Sequence, residues 1–352
     1  MARNWAEIFC ETLMRKSAVG TLKFVLTAII LAGIAWKLDV KSILEVLPSL
    51  SPYAVAIGFA LALVQIVLAA GRLSVVVGFF NRKLRLRDSF HVTIQSLFFA
   101  QTFVSFIGSD VLRIWKIRHC GAPLSEAVEA VTLDRLMGII VNHLFLLAAL
   151  PWLLGVVGTG AVRTTLLMLA AAGVAGMIVV LVLGFLQGRT GLSRKLGARF
   201  GGHRAVLLLT QVATVGRHLL EPRWSLLQAA ALSLGIALMN SVIFFVILRG
   251  WQVEAGTAVA CALLVPGILE IAMLPISIAG WGVREGVAIV AFGHLGVPAA
   301  IAFGTSVVFA LISLVLGLVG GLLWLINAHE MKKFAMLEGQ DEKTFLTGSA
   351  GK

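Results

Sequence analysis

Apolar positions along this chain gather into long, nearly uncharged runs, not into the alternating or one-faced stripes of a water-soluble fold. A bilayer crossing needs about 20 mostly apolar residues. The runs at 21–38, within 54–80, and at 136–162, 164–187, 225–248 and 299–327 read as about six full spans. The first is short, and Lys23 and Lys37 near its ends can snorkel to the two interfaces. Arg15, Lys16 and Lys23 give it the basic lead of a signal peptide. No obvious small-residue cleavage site follows and many further runs do, so it reads as an uncleaved span.

The polar stretches between the runs fix sidedness. Asn81-Arg82-Lys83-Leu84-Arg85-Leu86-Arg87 is a basic patch, and 188–224 carries seven Arg or Lys against one acid, Glu221. Because Lys and Arg are retained on the cytoplasmic side, the N-terminus, 81–88, 113–118, 188–224 and the tail are assigned inside. The loops at 39–50, 158–163 and 249–256 are assigned outside. The chain is then inside at both Asn81 and Arg113, although 89–107 is largely apolar. That segment must enter and return, as a re-entrant hairpin turning at Gly108. After Gly256 the same problem recurs from the outer side, where 258–278 and 283–295 flank Ala279-Gly280-Trp281-Gly282. A pair of ordinary spans would preserve the same parity in each place, and hydropathy does not separate the two readings. The broken regions resemble each other. Residues 105–113 precede Gly121-Ala122-Pro123, and 277–285 precede Gly296-Val297-Pro298, as opposed hairpins of inverted repeats would.

Composition narrows the class. Of 352 residues, 59% are hydrophobic and 13% charged, and the mean hydropathy is +0.98. Soluble domains hold roughly 45–50% apolar and about 25% charged residues. An ordinary soluble protein is therefore excluded, as is a disordered or nucleic-acid-binding chain. The expected fold is an all-α polytopic membrane protein: a cytoplasmic segment 1–20, a membrane domain 21–328 with a basic cytoplasmic or interfacial linker at 188–224, and a cytoplasmic tail 329–352. In the linker, Leu192, Leu196 and Phe200 share a face bordered by Arg194, Lys195 and Arg199, which suits a helix lying on anionic headgroups. Cys10, Cys120 and Cys261 form no metal or disulfide pattern, and no cofactor or metal is implied.

Ionisable residues at membrane depth need a reason. Arg72 sits near the inner end of its run, where snorkelling accounts for it. Asp110 and Arg113 are three apart, so on a helix they share a face and can pair. Asp134 and Arg135 open the third clear span. Glu270 lies in an apolar run between Pro266 and Pro275, whose missing N–H groups weaken the helix. Arg284 follows Gly280-Trp281-Gly282 and offers a planar fork suited to phosphate, with Glu285 beside it as a neutralising charge. Arg284 or Arg113 is the expected partner of Glu270. His143 reads as a helix-packing hydrogen bonder, and Gly317 with Gly321 as a helix-contact face. The chain has no HExxH, P-loop, GxSxG or acidic metal pair.

Three stretches carry a family resemblance: Gly108-Ser109-Asp110-Val111-Leu112-Arg113; Gly121 to Ala127 running on to Leu133-Asp134-Arg135-Leu136; and Leu274-Pro275-Ile276-Ser277-Ile278-Ala279-Gly280-Trp281-Gly282-Val283-Arg284-Glu285-Gly286. Over about 22–325 the chain resembles the membrane domain of lysylphosphatidylglycerol synthases, the flippase-like family. The resemblance implies a lipid-translocating domain with two re-entrant hairpins around a central cavity, here as a stand-alone member without the aminoacyl-transferase domain. The expectation is a multi-pass protein of a bacterial inner membrane, both termini cytoplasmic, moving a polar-headed lipid between leaflets. Its partners would be the lipid substrate and anionic headgroups, with no nucleic acid; a homo-oligomer is compatible with the sequence. Substrate contacts would come from Arg113 and Arg284 on the phosphate, balanced by Asp110, Glu270 and Glu285, with Asp134 and Arg135 nearby. A lipid-modifying transferase and a non-transporting assembly partner are the rival readings.

Overall fold

A computed structural model describes residues 47–101, 105–156, 160–192, 204–221, 223–253, 258–274 and 277–326. Among the described residues there are ten α-helices and no strand. In chain order these are α1 (Pro52–Phe79), α2 (Leu86–Gln101), α3 (Ser105–His119), α4 (Leu124–Val156), α5 (Ala161–Thr190), α6 (Arg204–Leu220), α7 (Trp224–Gly250), α8 (Ala258–Ala272), α9 (Val283–Gly293) and α10 (Ala299–Ile326).

Five helices, α1, α4, α5, α7 and α10, are long and apolar enough to cross a membrane. They correspond to the second through sixth expected spans; the first, 21–38, lies outside the described residues. The chain is an all-α, multi-pass membrane protein. Local signals place the helix ends. α1 opens on Pro52, whose missing N–H costs nothing at a helix start, and stops before Asn81, which takes a left-handed φ of 57°. α5 closes on left-handed Gly191.

Two expected boundaries are corrected. The third span begins at Leu124, directly after the Gly121-Ala122-Pro123 break, so Asp134 and Arg135 lie well inside α4 and do not open it. Pro123 marks the helix start, and the helix runs on through the charged residues that bound the apolar run. Gly108 is not a turn: α3 is helical from Ser105; residues 102–104, between α2 and α3, lie outside the described residues. The second break stands where it was expected. A 3-10 turn at Ile278–Gly280 separates α8 from α9, with Ala279, Gly280 and Gly282 all at positive φ. Much of the basic linker is also helical, as α6; residues 193–203, including most of the interfacial face, lie outside the described residues.

The packing repeats. α1 touches α2, α4, α7 and α10, while α7 touches α8, α10, α1 and α4. α2 packs on α3 and α10, and α8 packs on α9 and α4; α3 rests on α4 as α9 rests on α10. Two units of span, short helix pair and span thus interlock, each lending the first helix of its short pair to the other's last span. α5 and α6 pair with each other at the periphery, where Gly184 and Gly216 bring the backbones together. Only 6% of the apolar window of α5 is buried, so this helix presents its surface to lipid.

Two apolar clusters hold the bundle. One is built around Leu146, Phe244, Ile268, Phe292 and Phe309, and the other around Leu73, Ile117, Leu133 and Val215. Along α1 the change from one to the other falls between Ile66 and Leu73, and along α7 between Ala229 and Ile243. Arg72, Ser233 and Asn240 lie on those transitional stretches.

Candidate functional site

A polar cavity of about 230 Å³ opens there, lined by residues of α1, α2, α3, α4 and α7 together with Met273. Asp134, 1% exposed, is its centre. From α1, Arg72 grips the carboxylate with both ends of its fork, Nε to Oδ1 at 2.8 Å and Nη2 to Oδ2 at 3.2 Å, and its Nη1 donates to Ser233 at 3.0 Å. From α3, Arg113 reaches the same carboxylate, Nη1 to Oδ2 at 3.2 Å, and donates from Nε to Ser96 at 3.3 Å. One helical position along α4, Arg135 points the other way and meets Asp110, 2.6 Å from Nη2 to Oδ1, with Ser109 also accepting from Nη2 at 3.1 Å.

The pairing is therefore crosswise between α3 and α4. Asp110 does not pair with Arg113 along its own helix as spacing suggested; each takes its partner from α4. Arg72 does not snorkel, because Asp134 and Ser233 give it partners inside the bundle. Three guanidinium groups face two carboxylates, leaving one net positive charge in a pocket between α1, α2, α3, α4 and α7. Asn142 and Asn240 add amides to the lining, and Asn240 keeps a buried side-chain oxygen with no partner among the described residues. A buried polar atom without a partner costs free energy. Such an arrangement is chemically ready for an anion with further hydrogen-bonding groups, as an Arg fork is for phosphate.

The other expected residues sit elsewhere. Arg284 and Glu285 are 6% and 0% exposed and closed on each other, Nη2 to Oε1 at 2.6 Å. Ser306 of α10 binds both, and the second oxygen of Glu285 accepts from the Gly282 backbone N–H, capping α9. The Arg284 guanidinium also faces the rings of Trp281 and Phe309 at 5.6 and 5.8 Å. Neither residue lines the polar cavity. Glu270 meets neither Arg284 nor Arg113; its Oε1 lies 2.8 Å from Nδ1 of His143. An apolar cavity of about 340 Å³ lies beyond that pair, between α4, α5, α8 and α9.

Sequence reasoning missed Arg72, Ser96, Ser233, Asn240 and His143 as parts of these sites. The signal for Arg72 was present, a lone cation inside an apolar run. For the two serines and the asparagine no local signal exists, since small polar residues are ordinary in membrane helices.

A family model for the "Lysylphosphatidylglycerol synthase TM region" matches residues 20–321. No curated protein and no solved structure matches the chain. The family match takes in every helix of the polar cavity and both short helix pairs, so this chain belongs to the family of the lysylphosphatidylglycerol synthase membrane region.

Proposed function

We propose that the protein moves a polar-headed phospholipid between the leaflets of a bacterial inner membrane. The observation that carries this reading is the net-positive polar cavity around Asp134, set in a bundle whose outer faces are apolar. A headgroup crossing hydrocarbon leaves its hydration behind, and fixed guanidinium groups in a low-dielectric pocket replace part of it. Arg72 and Arg113 share one carboxylate, so a lipid phosphate competes with Asp134 for a fork already oriented to bind it. Arg135 and Asp110 flank the entry of the headgroup. Arg284 and Glu285 are positioning residues here, fixing the start of α9 on α10.

The helix lengths support the re-entrant reading of both pairs. α2, α3, α8 and α9 have 16, 15, 15 and 11 residues, about 24 Å or less at ~1.5 Å per residue, against a hydrocarbon core of about 30 Å. With basic loops and both termini cytoplasmic, the two interlocked units run in opposite senses, and the shared cavity falls near the midplane.

Lipidomics with leaflet-specific amine labelling in a deletion strain tests the reading in cells. One polar-headed lipid should accumulate in the inner leaflet and return to both leaflets on complementation. Unchanged lipid sidedness would refute it, and a missing lipid species would favour a lipid-modifying enzyme instead.

A further inference from the structure

We propose that Glu270 and His143 form a single-proton site between the two cavities, and that proton occupancy there governs lipid movement. The second half rests on the translocation reading; the first half stands on geometry alone.

The imidazole of His143 is held at both nitrogens. Its Nε2 lies 3.2 Å from the carbonyl oxygen of Ala170, and its Nδ1 lies 2.8 Å from Oε1 of Glu270. A carbonyl only accepts, so Nε2 carries a hydrogen. The Nδ1–Oε1 contact then needs one further proton, either on the carboxyl beside a neutral ring or on the ring beside a carboxylate. Both arrangements contain the same single proton and carry no net charge. Removing it sets a carboxylate against a ring lone pair and abolishes the bond. Adding a second leaves a net positive charge among apolar side chains, since Oε2 of Glu270 is buried and has no hydrogen-bond partner among the described residues.

The seat is built for the ring. His143 lies against Gly173 of α5, where a Cβ would overlap the imidazole. The neighbouring charges are committed elsewhere. α8 packs on α4, α7 and α9. On α4, Asp134 and Arg135 are ion-paired more than two turns away, and Glu126 and Glu129 lie farther along, paired with Arg82 and His218. α7 offers Arg249 in its last turn. α9 offers Arg284 and Glu285, closed on each other, with His294 just past its end. α5 offers Arg163 and Arg189 near its two ends. Among the described residues, His143 alone comes within ion-pair distance of Glu270.

Position gives the site its consequence. Asn142 and Met273 line the polar cavity, and Leu146 and Ile271 line the apolar one. Glu270, between Ile268 and Met273, and His143, between Asn142 and Leu146, therefore sit beside both linings. The closed pair holds its proton and gives it up only when the division between the cavities opens, so a pH gradient biases that opening.

Glu270→Gln separates a proton site from a structural contact, because the amide can donate to Nδ1 but has no proton to release. Above about pH 4.3 an unfolded carboxyl has given up its proton, whereas the folded pair holds one that the folded Gln variant lacks, so the wild type takes up a proton on folding that the variant does not. The full chain in lipid nanodiscs should show a melting-temperature advantage over Glu270→Gln that shrinks steadily from pH 5 to pH 8. A constant difference overturns the proton site. The wild type alone gives a second reading by 15N-histidine spectra, assigned by the signal lost in His143→Gln. The two ring nitrogens should give the shifts of an imidazole hydrogen-bonded at both Nδ1 and Nε2, and the shifts of a solvated ring overturn the site as well. In proteoliposomes, a transmembrane pH gradient should change the rate of labelled phosphatidylglycerol movement at least threefold in the wild type and leave Glu270→Gln indifferent. Lipid movement that ignores the gradient in the wild type overturns the coupling. A wild type that moves no lipid at all overturns the translocation reading instead, and the melting series and the 15N spectra still decide the proton site.

Discussion

Asp134 carries two arginines from two different helices, and that sharing sets how the site responds to change. Asp134→Asn would strand Arg72 and Arg113 as buried cations, and breaking a buried ion pair from one side costs roughly 3–5 kcal/mol. Melting of the purified variant in detergent should show a large loss of stability, well beyond the effect of Glu126→Gln, whose partner Arg82 is more than a third exposed. The Arg284–Glu285 pair gives a sharper form of the same argument. Each single neutral variant leaves one buried charge alone, so Arg284→Met with Glu285→Gln should be more stable than either single change. Strict additivity in a four-protein melting cycle would mean that the two residues do not act as a pair. The residues at issue were legible in the sequence, because an ionisable side chain inside an apolar run is costly wherever it falls. Their partners were not. Spacing along one helix offers Arg113 to Asp110, but the contacts that form lie 25 and 21 positions apart, between α3 and α4. Glu270 was likewise given a guanidinium partner, and the group that meets it is a histidine 127 positions away.

At the scale of elements, glycine decides how closely helices meet. The face of α10 expected at Gly317 and Gly321 does lie against α2, and Gly320 joins it. A Cβ on Gly320 would overlap the Ile94 carbonyl, and one on Gly321 the ring of Phe98. Gly320→Val should therefore push α10 off α2, with a stability loss of about 1–3 kcal/mol or more from overpacking; Gly78→Val, where a Cβ meets nothing within 4 Å, serves as the control. Sidedness is tested on the same elements. On the proposed topology, single cysteines at Lys83 and Arg118 should both be labelled from the cytoplasmic side by an impermeant reagent. Opposite accessibility would mean that the chain does not return to the side it left, and would overturn the hairpin. Native Cys120, part-exposed two residues from Arg118, is replaced by Ser in both labelled variants. Long spans were easy to find because hydropathy over 20 residues is a strong signal. The short helices were harder, since α3 opens at Ser105 and carries Gly108 within it where a turn was expected.

The whole molecule is two interlocked units with a charged pocket where they meet. Each unit is incomplete alone, because one helix of its short pair, α2 or α8, packs on the other unit's final span. The weak sequence likeness between 105–113 and 277–285 hinted at this duplication, yet the two signatures play different parts. The first lines the cavity with Arg113, and the second folds Arg284 and Glu285 into a buried turn. The motif with the stronger family resemblance thus shapes the backbone, and the charge that faces the cavity comes partly from Arg72, which no motif marked. The central claim is that this pocket carries headgroups across the membrane. Its most direct test is the rate at which inner-leaflet lipids bearing a fluorescent headgroup become accessible to external dithionite in proteoliposomes. The wild type should expose that pool far faster than protein-free vesicles, and Arg113→Gln should slow it by at least about tenfold, equivalent to roughly 1.4 kcal/mol, while remaining folded. A wild-type rate equal to that of empty vesicles, or an Arg113→Gln rate equal to the wild type, would contradict the account.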